Sequence, residues 1–221
     1  MPRRARLQCE GRHVHALNRR VDRQPLLHAP DDYECLASIL AWAQRAVGME
    51  ITAWCLMPNH WHLILRPDSS PQLTEFMHRV QTTHAIQVRR DSATRGQGCV
   101  YGSRFKGFLI PPDRLLRSVV YVERNPVKAG LAKRAEEWPA SSAGASGDGI
   151  RRPSVVRLPA ELERHRRALL RQPLPEEFER AFRQACCTGD FCSDHERARI
   201  EAVAVNALRR LDGTRARLRA G

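Results

Sequence analysis

Residues 12–18, Arg-His-Val-His-Ala-Leu-Asn, alternate weakly between apolar and polar, the period of a strand with one covered face. An Arg-rich polar turn follows (Arg19, Arg20, Arg23). The period then changes to that of a helix: Leu36, Leu40, Ala43 and Val47 recur on one stripe, Asp31 with Glu34 three positions later makes a capping-box start, and Gly48 suits a left-handed stop. From Glu50 to Leu56 alternation returns, Ile51, Ala53 and Cys55 against Thr52 and Trp54. Met57-Pro58-Asn59 reverses the chain, and His60 to Arg66 forms the return strand of a hairpin. On that strand His60, His62 and Ile64 share one face, and Trp61, Leu63 and Leu65 the other.

A second helix is predicted from about Pro71 to Arg90, with Leu73, Phe76, Met77, Val80, Ala85 and Val88 as an imperfect apolar stripe. A Gly-containing loop, Ala93 to Gly102, leads to a last strand over about Arg104 to Ile110. A third helix starts near Asp113, buries Leu115, Leu116, Val119 and Val120, and ends at Asn125-Pro126, since a residue preceding proline leaves helical geometry. The order strand, helix, strand, strand, helix, strand is that of an α+β, ferredoxin-like βαββαβ sheet with its first and third strands at the centre, followed here by an additional helix.

From Ala140 the composition turns small and polar, which predicts a flexible linker over 141–150 between a catalytic domain at 1–140 and a basic helical C-terminal region at 151–221. In that region Pro175 opens a helix with Phe178 and Phe182 on one face. Another helix is expected from Ser193, with Glu196 at its third position, to about Gly213, before a basic end at 215–219.

Charge changes the picture next. Lys and Arg number 37 against 24 Asp and Glu, a formal +13, and a soluble chain this basic points to a polyanionic partner, because each cation–phosphate contact releases counterions. Arg-rich genomic bias is the competing source of the excess. No apolar core follows the basic N-terminus Met1-Pro2-Arg3-Arg4-Ala5-Arg6, and no run reaches the length of a membrane span, so a cytoplasmic protein away from membranes is expected, its seven Cys free thiols. Cys186, Cys187, Cys192 and His195 form a zinc-site candidate whose spacing matches no standard finger.

Two imidazoles two residues apart on a strand point the same way and can bind one divalent cation, although His13 and His15 repeat the spacing in the same chain. Tyr121 and Asn125, four apart, share a helix face opposite Leu116 and Val119, so the tyrosine is expected to project from the helix. Of its competitors for a chemical role, Tyr33 opens a helix and Tyr101 sits in a loop with no metal-binding neighbours in sequence. The parts assemble into phosphoryl-transfer chemistry. Mg²⁺ or Mn²⁺ held by His60, His62 and the neutral oxygen donor Asn125 would polarise a phosphodiester that Tyr121 attacks, conserving bond energy for rejoining without ATP. A flexible single strand can thread past such a tyrosine with Arg side chains following its backbone. Arg117, one turn before Tyr121, is either such a contact or an ordinary solvated charge.

The stretch Cys55-Leu-Met-Pro-Asn-His60-Trp-His62-Leu63, then Arg104-Phe-Lys106, then Tyr121-Val-Glu-Arg-Asn125-Pro-Val-Lys-Ala-Gly-Leu131 resembles the single-tyrosine HUH transposases, and most of all the bacterial tyrosine transposases associated with repetitive extragenic palindromes (REPs). Asn18-Arg19 and Trp138-Pro-Ala-Ser-Ser142 fit the same pattern, over roughly residues 10–142. The resemblance implies a ferredoxin-like catalytic fold and Mg²⁺ or Mn²⁺ dependence. It further implies cleavage and rejoining of single-stranded DNA near hairpin or palindromic repeats through a 5′-phosphotyrosine, by a monomer or homodimer. By motif position it assigns Tyr121 as nucleophile, His60, His62 and Asn125 as metal ligands, and Arg19, Arg104 and Lys106 as DNA contacts. Arg20, Tyr101, Ala140 and Ala143 depart from residues usual in the family. The rival readings are a catalytically silent, sequence-specific DNA-binding regulator and a zinc-binding nucleic-acid protein built on the late cysteines.

Overall fold

A computed structural model of the chain describes residues 7–21, 24–91, 99–144 and 152–189. Its elements run β1 (Val14–Arg19), α1 (Pro30–Val47), β2 (Glu50–Met57), β3 (His60–Arg66), α2 (Ser70–Asp91), β4 (Lys106–Leu109), α3 (Leu115–Glu123), a single turn α4 (Asn125–Lys128), α5 (Ala160–Leu170) and α6 (Glu176–Thr188). The four strands form one antiparallel sheet in the order β2-β3-β1-β4, so the first and third strands are central, as the ferredoxin-like pattern predicts. The helix expected from Ser193, the basic end and two members of the candidate zinc cluster, Cys192 and His195, lie outside the described residues.

The hairpin registers Met57 against His60 and Trp54 against Leu63. Alternation then sorts side chains between two apolar layers. Trp54, Leu56, Trp61, Leu63 and Leu65 meet Leu36, Leu40, Leu73, Phe76 and Val80 of α1 and α2 on one face. On the other, Ala53, Cys55, Met57, Ile64 and Phe108 meet Val119, Val120 and Val122 of α3 and Phe178, Phe182 and Ala185 of α6. Each large apolar side chain sealed in these layers contributes roughly 1.5–3 kcal/mol of transfer free energy.

Local boundaries differ from the predicted ones for identifiable reasons. α1 begins two residues earlier than an Asp31 cap would set it, because Asp32 Oδ2 accepts the N–H groups of His28 (2.6 Å) and Ala29 (2.9 Å). Gly48 closes it at φ 68°, the left-handed stop expected of that glycine. β4 is shorter than the alternation implied, and Arg104 falls in the exposed turn before it. That turn is drawn to β1 instead, where Asn18 Nδ2 donates to Ser103 O at 3.3 Å.

The outer edge of β2 is covered by the chain itself. Leu56 N–H donates to Ala140 O (2.8 Å), Ser142 N–H to Trp54 O (2.9 Å) and Val156 N–H to Ile51 O (2.8 Å). Behind it, the carboxylate of Glu123, 2 % exposed at the end of α3, accepts from Arg166 of α5 (2.5 Å) and from Ser142 Oγ (2.7 Å). Burial pushes the Glu123 carboxyl above the usual carboxylate range, and the Arg166 guanidinium pulls it back. Among the described residues no helix is long and apolar enough to cross a membrane.

Candidate functional site

Period two on β3 delivers His60 and His62 to the face covered by α3 and α6, with ring centroids 4.9 Å apart. Their surroundings commit one nitrogen of each ring. His60 Nδ1 lies 2.6 Å from Asn59 Oδ1, and His62 Nδ1 lies 2.8 Å from Nε2 of His15, a wholly buried residue of β1. The nitrogen left over in both rings is Nε2. Burial, helped by the Arg19 guanidinium, lowers His60 to about 4; burial, then the neighbouring imidazoles and Arg19, lowers His62 well below its ordinary value. Both rings are therefore neutral at pH 7, the form that binds a cation.

Asn125 opens α4 immediately beyond α3 and turns its amide nitrogen inward, donating to Tyr121 O (2.9 Å) and Val122 O (3.4 Å). Its Oδ1 remains as an oxygen donor. Among the described residues no three His, Cys, Asp or Glu side chains gather to hold a metal ion, so an ion here would need an amide oxygen or water beyond the two imidazoles. Such a mixed nitrogen and oxygen set fits Mn²⁺ or Mg²⁺ and lacks the thiolates of a structural zinc site.

Tyr121 meets this cluster: its ring centroid is 6.5 Å from that of His62. It does not project freely, as its helix face had suggested. The residue is 7 % exposed, because Phe182 of α6 stacks on it at 4.1 Å between ring centroids with planes 29° apart. Lys128 Nζ stands 5.4 Å from the centroid of the same ring and pairs with Glu179 of α6. Burial, then Cys186, pushes the phenol well above its ordinary value, with Arg183 opposing. Phe182 also touches His15 and Phe108, at 4.8 and 5.2 Å between centroids. Phe182, one of the two aromatic positions of the Phe178–Phe182 stripe read from the sequence, thus covers the site.

Among the cations singled out from the sequence, Arg19 pairs in register with His60 across β1 and β3. Register puts Arg19 and Lys106 on the same face of the sheet as His60 and His62, and both are exposed, at the rim of the covered surface. Arg104 and Arg117 are exposed, and among the described residues neither has a contact with the cluster. Two participants escaped sequence reasoning. His15 had registered only as a repeat of the His-x-His spacing, and its meeting with His62 depends on the β1–β3 register, which sets it opposite Ile64. Phe182 carried a helical stripe, but nothing in its spacing names Tyr121 as what the stripe covers.

Comparison with known proteins bears on the family and the fold. The family model described as transposase IS200 like matches residues 9–124. A structure of a REP-associated tyrosine transposase bound to a REP hairpin superposes with a TM-score of 0.50 at 24 % identity, covering 72 % of this chain and 100 % of that one. A crystal structure from Deinococcus radiodurans, assigned only provisionally as a transposase, is 18 % identical over 56 % of this chain and 95 % of its own, with a TM-score of 0.38. No curated protein sequence matches.

Proposed function

The chain belongs to the IS200-like transposase family, whose members are DNA transposases, and from that premise we propose that it cleaves and rejoins single-stranded DNA beside hairpin repeats with Tyr121 as the nucleophile. The observation that carries the reading is the approach of Tyr121 to the paired imidazoles on the one face of the sheet where His60 and His62 both point. The fold shared with a REP-associated tyrosine transposase bound to a REP hairpin supports the substrate class.

In this reading His60, His62 and the Asn125 oxygen would hold Mg²⁺ or Mn²⁺, which when bound would supply Lewis-acid polarisation of the scissile phosphate. The Tyr121 hydroxyl gives up its proton as its oxygen bonds to phosphorus, the P–O3′ bond breaks, and the departing 3′ oxygen takes up a proton, so that none is gained or lost overall. A 5′-phosphotyrosine and a free 3′-OH result, and the reverse step by another 3′-OH rejoins DNA. Arg19 and Lys106 line the approach to this face and contact the phosphate backbone, with Arg104 and Arg117 further out on exposed surface. The strand reaches the phenol only when Phe182 and α6 move aside, and that movement also returns the tyrosine toward an ordinary acidity.

The buried phenol is the one observation that favours the rival reading, a silent DNA-binding regulator. The two are separated by incubating a labelled hairpin-bearing single strand with the protein and Mn²⁺ and running a denaturing gel. Wild type should form a covalent adduct and Tyr121→Phe none, with DNA binding retained. An adduct of equal yield from Tyr121→Phe refutes the nucleophile assignment, and binding without adduct in either protein favours the regulator.

A further inference from the structure

His15 is enclosed on every side that matters for its chemistry. Its ring is 0 % exposed and packs against the rings of Phe108 and Phe182, each 4.8 Å away by centroid. Among the described residues its two nitrogens have one polar neighbour apiece, His62 Nδ1 at 2.8 Å from Nε2 and Cys186 Sγ at 4.0 Å from Nδ1.

A hydrogen bond between two neutral imidazoles has one donor and one acceptor, so two arrangements are open. If His15 donates, the His62 proton sits on Nε2, the only nitrogen of that ring left for an ion, and the ligand is blocked. If His62 donates from Nδ1, its Nε2 lone pair is free, and the His15 proton must sit on Nδ1, facing the Cys186 sulfur. The neighbouring ligand shows the same pattern. Asn59 Oδ1 can only accept, so it fixes His60 with its proton on Nδ1 and its Nε2 free. Only the second arrangement makes the two histidines equivalent ligands, each oriented through Nδ1 by a fixed acceptor, the recurring way in which histidine ligands are held.

We infer that His15 is a positioning residue of the metal pair: its Nε2 accepts the Nδ1–H of His62 and thereby holds that ring in the one tautomer and orientation able to ligate. The inference rests on the reading of His60 and His62 as metal ligands, and it adds a residue from the first strand that touches neither ion nor DNA. The same contact links α6 to the ligand set, since Cys186 and Phe182 both meet the far side of His15.

The experiment uses the full chain without DNA. Long-range ¹H–¹⁵N correlation spectra of the imidazoles report which nitrogen of His62 bears the proton, and calorimetric titration with Mn²⁺ reports affinity. The expected spectrum has His62 protonated on Nδ1 and bare on Nε2, before any metal is added. A His62 proton on Nε2 overturns the inference. In the titration, His15→Leu, which removes the acceptor but keeps bulk, should weaken Mn²⁺ binding roughly 10–100-fold. His15→Gln, whose amide oxygen can still accept, should recover most of that loss. Equal affinity in His15→Leu and wild type, or equal loss in both variants with native spectra elsewhere, overturns it as well. A wild-type chain that binds no Mn²⁺ fails differently: it removes the metal reading itself, whatever the His62 tautomer.

Discussion

Truncating Phe182 should raise the rate of adduct formation. The side chain is fully buried, stacks on Tyr121 at 4.1 Å and packs edge-on to Phe108 at 5.2 Å, so it joins α6 to both the proposed nucleophile and the sheet. Replacing a buried Phe by Ala costs about 3–5 kcal/mol, and most of that falls on the docking of α6, because Phe182 is the residue through which α6 grips the site. At 1.4 kcal/mol per decade, the population with Tyr121 uncovered should grow by roughly two to three orders of magnitude, until opening no longer limits the reaction. The assay is the initial rate of covalent adduct on a hairpin-bearing single strand in Mn²⁺, with thermal melting to show that the sheet and its inner layer stay folded. Phe182→Leu, which retains most of the volume, should lie between the two. An unchanged or lower rate in Phe182→Ala, with the sheet intact, would refute the idea that α6 shields the phenol from substrate.

Other outcomes follow from single contacts. Glu123→Gln leaves the largely buried Arg166 without its partner across α3 and α5, and should lower stability in urea by about 3 kcal/mol, partly offset because Glu163 still pairs with Arg166 at 2.8 Å. Gly48→Ala should cost about 1 kcal/mol in thermal melting, since φ is 68° and no atom lies within 4 Å of the added methyl, leaving backbone strain as the whole effect. His84, 2 % exposed and 2.6 Å from the Tyr101 hydroxyl, is lowered by burial to about 4 from 6.5. As pH falls below 6.5 the unfolded chain takes up this proton first. The stability is therefore complete above 6.5 and is lost on the way down to about 4, roughly 3 kcal/mol in all, and His84→Gln should show a shallower pH dependence of melting.

How much the chain revealed in advance depended on whether a feature is local. The face shared by His60, His62 and Ile64 follows from strand period alone, and the sheet order follows from the order of elements. The Gly48 stop is likewise a property of one residue and its turn. Tyr121 could be singled out, but its surroundings could not, because the spacing of Leu116 and Val119 describes only the layer that α3 turns toward the sheet. The second layer on α3 comes from α6, more than 50 residues later, and no periodicity connects Phe182 to Tyr121. His15 was hidden for a related reason: its partner is set by register between strands 47 residues apart. The short extent of β4 reflects competition, since Asn18 ties the preceding turn to β1 where alternation alone would have continued the strand.

The self-covered border of β2 has a bearing on assembly. With Ala140, Ser142 and Val156 already occupying its main-chain groups, a second copy cannot continue the sheet from that rail. The opposite rail, β4, offers four residues and lies against α6. Two molecules that share a sheet must therefore do so through the β4 rail, and any other union runs through helices, loops or shared DNA.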